Sequence, residues 1–304
     1  MNISNIDLAY AAGYIDGDGC FFTGLIGKRP KFVGNLIIVS TNEQICPWFQ
    51  KLFSAGCLSS QDNISKQCHR TMYSLRMNKT KALPIVKTLF PKLIEKKNDA
   101  QSFINFCESK SNVEKIELIQ KMRSDRKNND LIYPNLKEEY ESQRDTISPT
   151  AEDYAYLSGF IDAEGCFTIS RYKPKNKPNY FHKAILELNN SKASVFLWIL
   201  QRFGGVIHFK NLKSKYGDKH RDQFIWIISA KNLGELLPKI YPYLKQKKQL
   251  CQQLINFQKT IVPMKGLPSR KSEDFQRYFQ SILEIREKIY NNVKDLNKKG
   301  RTNI

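Results

Sequence analysis

Apolar and polar residues alternate along several stretches of this chain, and the alternating stretches come in pairs. From 166 to 172, the apolar residues Phe167 and Ile169 point one way, while Thr168 and Ser170 point the other. A period of two predicts a strand with one covered and one exposed face. Similar stretches predict single strands at 32–40 and 181–189, and strand pairs at 57–77 and 206–229.

The segments between these strands have the composition of helices. Two helices are predicted to begin near Asn42 and Ser191, and glycines close them at Gly56 and Gly204. A long helix pair ends each half, and a further amphipathic helix is predicted at 275–293. Each half therefore has the order αββαββα, which predicts an α+β fold with an antiparallel sheet covered by helices on one face.

The two halves are copies of one unit. Residues 8–19 recur as 154–165, and the strand and helix order behind them recurs as well. A repeat of this size predicts two domains rather than a solenoid. We predict a first repeat at 1–122, a polar and poorly periodic linker at 123–149, and a second repeat with its C-terminal helix at 150–304.

Each copy of the repeated motif predicts a short helix with small residues along one side. These residues stand at i, i+4 spacing: Ala9, Gly13 and Gly17 in the first helix, and Ala155, Gly159 and Ala163 in the second. Such a stripe lets two helix backbones approach closely. Each helix ends in an acid, Asp18 or Glu164, where the helix dipole is negative and a carboxylate is unfavourable without a cation. The pattern predicts two close-packed helices that share a metal site.

Composition narrows the class of partner. The chain has 304 residues, with 49 Lys and Arg against 29 Asp and Glu, a net charge of +20. An excess of this size favours a polyanionic partner, above all nucleic acid. No apolar run approaches the length of a membrane span, and the N-terminus has no signal or transit character. Seven cysteines without a C-x-x-C pair are typical of reduced thiols.

The segment Gly17-Asp-Gly19 fits neither of two familiar motifs. A dinucleotide fingerprint needs a third glycine where Phe22 stands. A calcium-binding loop that starts at Asp16 needs glycine and glutamate where Phe21 and Gly27 stand. Both kinds of site are excluded.

The two motifs resemble that of the LAGLIDADG homing endonuclease family. Gly13-Tyr-Ile-Asp-Gly-Asp-Gly19 and Gly159-Phe-Ile-Asp-Ala-Glu-Gly165 each have its core of glycine, two apolar residues, Asp, a small residue, an acid and glycine. The resemblance extends over nearly the whole chain. It implies a single-chain, monomeric pseudo-dimer, in which two antiparallel sheets form a pseudo-twofold saddle and the motif helices pack at the interface. It also implies cleavage of double-stranded DNA across the minor groove.

The resemblance implies that the last acids of the motif helices, Asp18 and Glu164, bind divalent metal at the scissile phosphates. Gly17 and Ala163 belong to the same predicted metal site. Hard oxygen ligands suit Mg²⁺, which keeps several waters and shares the substrate phosphate. We expect Mn²⁺ to substitute for it.

Two further pairs are predicted to assist catalysis. The resemblance implies a lysine near the active site in each repeat, Lys96 and Lys247, although either could lie on a solvated helix face and each is followed by a second lysine. Asn42 and Asn190 stand where a strand runs into a helix. The resemblance implies a polar residue here that contacts the hydrolytic water, but asparagine could equally cap the helix.

The earlier acid of each motif is predicted to have another role. Asp16 and Asp162 precede the metal-binding acids by two residues, which turns them to roughly the opposite side of the helix. We expect them to accept hydrogen bonds from backbone or from a neighbouring side chain.

DNA recognition is predicted on the open faces of the sheets, because a β-ribbon fits the major groove and turn lysines reach phosphates. The polar and basic candidates are Lys28, Arg29, Lys31, His69, Arg70, Thr168, Ser170, Tyr172, Lys173, Lys175, His208, Lys210, Lys213, Arg221 and Gln223.

The sequence thus predicts a Mg²⁺-dependent, site-specific endonuclease that cuts both strands of a long asymmetric DNA target. The alternative is a maturase that binds its host intron RNA, or a DNA-binding protein of the same fold without catalysis. No splicing block flanks the motifs, which favours an intron-encoded or free-standing enzyme. Richness in Asn, Lys, Ile, Phe and Tyr, typical of an AT-rich gene, favours an organellar protein.

Overall fold

The computed structural model describes residues 3–65, 68–128, 146–175, 179–212, 222–261 and 272–298. Both repeats have the same succession of elements. The first contains α1 (Asn5–Asp18), β1 (Gly19–Ile26), β2 (Lys31–Ser40), α2 (Ile45–Phe53), β3 (Cys57–Ser65), β4 (Cys68–Asn78), α3 (Lys79–Leu89), a short 3-10 helix (Phe90–Lys92), α4 (Lys97–Glu108) and α5 (Asn112–Asn128). The second contains α6 (Ala151–Glu164), β5 (Gly165–Tyr172), β6 (Phe181–Asn190), α7 (Ser194–Phe203), β7 (Val206–Lys210), β8 (Gln223–Ser229), α8 (Ala230–Ile240), α9 (Lys248–Gln258) and α10 (Glu273–Lys298).

Each repeat has one four-stranded antiparallel sheet. The strand orders are β1-β2-β4-β3 and β5-β6-β8-β7. Side chains alternate as predicted: Phe167 and Ile169 are buried against the helices, while Cys166 and Ser170 are exposed on the other face. We call the face away from the helices the open face. The predicted α+β class with helices on one face of each sheet is confirmed.

The motif helices α1 and α6 form the contact between the repeats. Ser4 caps α1 by accepting from Asp7 N at 3.0 Å, and Thr150 caps α6 within a capping box. A Cβ added at Gly13 would lie 2.0 Å from the carbonyl oxygen of Tyr156, and one added at Gly159 would lie 2.0 Å from that of Tyr10. The two backbones therefore touch at the small-residue stripe.

The predicted starts of two helices are wrong by three residues. The helices begin at Ile45 and Ser194, not near Asn42 and Ser191. The residues before them form a turn between strand and helix. The predicted glycine stop holds at Gly204, the C-cap of α7, whereas Ser54 caps α2 in a left-handed conformation.

One helix contacts each of the edge strands β1 and β5. Thr23 of β1 donates from its hydroxyl to the sulfur of Met122 in α5 at 3.3 Å, and Asn297 of α10 donates to the carbonyl of Phe167 in β5 at 3.1 Å. The helix predicted at 275–293 is α10, and α5 is its counterpart in the first repeat. Helix α5 runs to Asn128, into the segment predicted as a linker. Among the described helices, none combines the length and apolarity that a membrane crossing requires.

Candidate active site at the paired helix ends

The predicted metal-binding acids lie side by side at one end of the helix pair. Asp18 and Glu164 are the last residues of α1 and α6, and both are partly exposed. A Cβ added at Gly17 would lie 2.4 Å from the Cβ of Ala163 and 3.1 Å from Cγ of Glu164. Gly17 therefore leaves the space that brings the two acids together.

Electrostatics shows how closely the acids interact. Burial and the charge of Glu164 together raise the pKa of Asp18 to about 6, against the opposing effects of Lys247 and Lys96. Burial also raises the pKa of Glu164, again against the two lysines. A cation would offset the repulsion between these two neighbouring carboxylates, so the pair favours the binding of a cation.

The lysine that approaches each acid is the first of its pair. Nζ of Lys96 donates to the carbonyl oxygens of Ile15, Gly17 and Gly19 at 3.0, 2.6 and 2.7 Å. These carbonyls belong to the C-terminal end of α1, where helical partners are missing and the dipole is negative. The next lysine, Lys97, is exposed. The predicted need for a cation at the helix end is thus met within the chain.

The second repeat has the same arrangement. Nζ of Lys247 donates to the carbonyls of Ile161 at 2.7 Å and Ala163 at 3.4 Å, and Lys248 is exposed. Burial lowers the pKa of Lys96 and of Lys247, and the nearby carboxylates raise it. A solvated position for these two lysines is therefore wrong.

The earlier acid of each motif holds the turn that carries the lysine. Asp16 accepts hydrogen bonds from the backbone N–H groups of Ile94, Glu95 and Lys96 at 2.7, 3.1 and 2.8 Å. It is fully buried, and burial raises its pKa against these hydrogen bonds. The structural role predicted for this acid agrees with these contacts.

A tyrosine from the opposite repeat completes each of these networks. Tyr156 donates to Asp16 at 2.6 Å, and Tyr10 donates to Asp162 at 2.8 Å. Asp162 also accepts from the backbone N–H groups of Lys247 and the two residues before it, as Asp16 does at Lys96. Sequence reasoning did not find these tyrosines, although their equivalent positions in the two motifs are a signal. Each repeat thereby helps to place the lysine of the other.

The asparagines are occupied in their own turns. Oδ1 of Asn42 accepts from Gln44 N at 2.9 Å, and Oδ1 of Asn190 accepts from Lys192 N at 3.0 Å. Neither is an N-cap, because Gln44 and Ala193 hold those positions. Within the described residues, no hydrogen bond joins either asparagine to the acids or lysines of the site.

The donors present fit a divalent cation that is shared with substrate. Each repeat supplies one carboxylate, and the carbonyls of Gly17 and Ala163 already accept from lysines. The described part of the chain contains no group of three or more His, Cys, Asp or Glu side chains that could hold a metal. Water and phosphate oxygens would have to supply the other ligands, which is how Mg²⁺ is commonly bound.

The predicted DNA-contacting residues lie on open faces and hairpin turns wherever their side chains are described. Those with exposed or partly exposed side chains are Lys28, Arg29, Lys31, Thr168, Ser170, Tyr172, Lys173, Lys175, His208, Lys210 and Gln223. His69 and Arg70 lie on β4, and only the backbone of these two residues is described. Lys213 and Arg221 lie outside the described residues. Two further open-face residues, Arg76 and Glu187, were not predicted.

Comparison with known proteins agrees with this architecture. Residues 157–261 match the model of the LAGLIDADG endonuclease family. Among solved structures, meganuclease I-SmaMI bound to an uncleaveable DNA has a TM-score of 0.66 at 13% identity, over 95% of this chain and 97% of that one. I-SmaMI bound to an uncleaved DNA target in the presence of calcium ions has a TM-score of 0.66 at 14% identity, over 93% and 97%.

A second meganuclease has the same fold. LAGLIDADG meganuclease I-AabMI bound to uncleaved DNA has a TM-score of 0.60 at 18% identity, over 92% of this chain and 98% of that one. Among curated protein sequences, none matches the chain. The resemblance seen in the two motifs is confirmed: residues 157–261 match the LAGLIDADG endonuclease family, and the chain as a whole has the two-repeat fold of the single-chain LAGLIDADG homing endonucleases.

Proposed function

We propose that this protein is a site-specific DNA endonuclease that cleaves both strands of an asymmetric target. The observation that carries the proposal is the pairing of Asp18 with Glu164 at the helix ends, with a buried lysine beside each. One acid from each repeat provides one half-site per DNA strand. A binding protein without catalysis has no need for two carboxylates that face a phosphate backbone.

The proposed chemistry is metal-assisted phosphodiester hydrolysis. A divalent cation, Mg²⁺ by preference, would be held by Asp18 and Glu164 and would supply an activated water and charge stabilisation at the phosphate. Lys96 and Lys247 offset the partial negative charge of the carbonyls at the helix ends and keep positive charge beside the acids. Asp16 and Asp162 fix the backbone that places these lysines.

The DNA would lie along the open faces of the two sheets. Basic residues of the β1–β2 turn, such as Lys28 and Arg29, are exposed there. The solved structures with the same fold include I-SmaMI and I-AabMI bound to DNA, which supports the same mode of binding here. We extend the proposal to a monomer encoded in an organellar intron, with the AT-rich residue usage in its favour.

The decisive experiment is selection of cleaved plasmids from a pool with randomised inserts. With Mg²⁺ we expect linear products whose ends define one long site, and with Ca²⁺ we expect binding of that site without cleavage. Absence of cleavage in Mg²⁺ and Mn²⁺, together with tight binding of a structured RNA, would instead favour the maturase.

Substitution of the acids tests their role on the selected site. Asp18→Asn and Glu164→Gln should each lower the rate of double-strand cleavage by about 100-fold or more, because charge stabilisation at the phosphate is lost. Affinity in Ca²⁺, measured by a gel shift, should fall much less. Asp274→Asn, an exposed acid on α10, is the matched control and should cleave normally. Loss of folding or of DNA affinity in the two acid variants would mean that the acids are structural.

A further inference from the structure

Strand pairing places an equivalent row of four residues in each sheet, next to the acids. In the first sheet the row is Cys20, Ile37, Arg76 and Cys57, and in the second it is Cys166, Glu187, Ile227 and Val206. We call these the inner rows. The two rows differ in chemistry. The first carries the guanidinium of Arg76 on β4, and the second carries the carboxylate of Glu187 on β6, the counterpart of β2.

Both inner rows lie on open faces. Their sequence neighbours point to the covered faces: Leu75 and Met77 flank Arg76, Leu186 and Leu188 flank Glu187, and all four are buried. Side chains of successive residues alternate across a strand. Arg76 and Glu187 therefore project to the side on which the proposed DNA lies.

The charged groups of the inner rows have hydrogen-bonding capacity left over. Arg76 is exposed, and its side chain makes no hydrogen bond or ion pair with any residue that the structure describes. One carboxylate oxygen of Glu187 accepts from the side-chain amide of Asn189 at 2.9 Å, and the other has no hydrogen bond in the same described set. The guanidinium of Arg76 and one carboxylate oxygen of Glu187 therefore have no partner among the described residues.

A carboxylate on a DNA-facing surface needs a specific reason. It is repelled by the phosphates and lowers the salt-dependent part of affinity. Glu187 is the only acid at the described open-face positions of the second sheet, which otherwise carries residues such as Lys183, His208 and Lys210. A base edge that donates a hydrogen bond would compensate the charge. In the major groove a carboxylate accepts from N4 of cytosine, whereas arginine pairs with O6 and N7 of guanine.

The position of the rows fixes which part of the target they reach. Cys20 and Cys166 follow Asp18 and Glu164 by two residues along β1 and β5. A strand rises about 3.3 Å per residue, so the rows lie roughly 7 Å from the acids along the strands. DNA rises about 3.4 Å per base pair, so this corresponds to about two base pairs.

We propose that the two inner rows determine base specificity close to the cleavage site: Arg76 reads guanine in one half-site and Glu187 reads cytosine in the other. The proposal rests on the proposed function and adds the chemistry of recognition. The target is then asymmetric at its inner positions because the two repeats read their G·C pairs from different strands of the sheet.

The test is selection of bound duplexes from a pool of random sequence in Ca²⁺, which does not require cleavage. Wild type should enrich one site with a required G·C pair close to the cleavage site in each half. Glu187→Gln should lose the cytosine preference at a single position by about tenfold or more, with a shift toward adenine, since glutamine pairs with N6 and N7 of adenine. Arg76→Gln should change a single position in the other half.

Matched substitutions control for charge. Asp62 pairs with Thr71 and lies on the opposite face of β3 from Cys57 and Ser59, so Asp62→Asn should leave the selected site unchanged. Arg277→Gln, on the exposed face of α10, should do the same.

The outcomes separate the inference from the function on which it rests. If wild type selects one site and Glu187→Gln or Arg76→Gln selects the same site unaltered, base reading by that residue is wrong while the endonuclease stands. If wild type requires adenine instead of cytosine at that position and Glu187→Gln relaxes this requirement, Glu187 acts by orienting Asn189 and the inference is overturned. If wild type selects no DNA, the proposed function fails and the inference fails with it.

Discussion

At the scale of single residues, the repeats differ just before the buried lysines, where one has Glu95 and the other Gln246. Both reach across to the opposite repeat: Glu95 accepts from the hydroxyl of Ser194 at 3.2 Å, and Gln246 accepts from that of Ser40 at 3.3 Å. Burial raises the pKa of Glu95 to about 7, although Lys192 opposes it. The first repeat therefore holds a carboxyl group that prefers to be neutral where its twin has a neutral amide.

This difference predicts a dependence of stability on pH. Between its unfolded pKa of 4.5 and its folded pKa of about 7, Glu95 binds more protons when folded. Stability contributed by this group is thus present at low pH and is lost as pH rises through that window, on the order of 3 kcal/mol in all. Glu95→Gln should raise the melting temperature relative to wild type more at pH 8 than at pH 4.5. Glu235→Gln, at an exposed acid of α8, should keep a constant difference; parallel curves for Glu95→Gln would contradict the assignment.

At the scale of elements, the pairing of α1 with α6 determines the site. The close approach at Gly13 and Gly159 brings the helix ends together, and the hydrogen bonds from Tyr10 and Tyr156 to the opposite acids lock the approach. The acids cannot share a cation unless these backbones touch.

We expect Gly13→Ala to separate the helices. A Cβ there meets backbone, which cannot move aside as a flexible side chain can, so the loss of unfolding free energy should be at least about 2 kcal/mol. Chemical denaturation measures it, and cleavage should fall together with stability. Gly234→Ala in α8 is the control, because its Cβ would meet only the side chain of Gln258 at 3.4 Å. That substitution should be neutral or stabilising by up to about 1 kcal/mol through helix propensity. Equal stability of the two variants would exclude backbone contact at Gly13.

At the scale of the whole molecule, the chain has a net charge of +20, and its exposed cations include a group at one end of the first sheet. Lys28 and Arg29 of the β1–β2 turn and Lys31, the first residue of β2, are exposed at one end of the first sheet. Other cations are engaged in ion pairs on the helical side, such as Lys231 with Glu235 and Arg277 with Glu273. Net charge alone does not identify the side of the molecule that binds DNA.

Salt dependence should separate these two groups of cations. Log affinity against log salt concentration falls with a slope of about −0.9 for each phosphate neutralised. Replacement of Lys28, Arg29 and Lys31 by Gln should make the slope shallower by about 2 to 3 if each residue contacts a phosphate. Replacement by Gln of three cations that form ion pairs on the helices, Lys87, Lys231 and Arg277, should leave it unchanged. Fluorescence anisotropy with the selected duplex gives both slopes, and equal changes would mean that the open faces do not carry the DNA.

The sequence alone determined the duplication, the α+β class, the helix ending at Asp18 and Glu164, and the alternation along strands such as 166–172. These features depend on local spacing, which the order of residues contains. Tertiary structure decided which lysine of each pair lies at the helix end. It also decided that Tyr10 donates a hydrogen bond to Asp162 of the opposite repeat, and that Arg76 and Glu187 occupy equivalent rows. Each of these depends on which segments meet in space. Contacts between residues distant in the chain are set by sheet register and helix packing, which spacing along one segment does not specify.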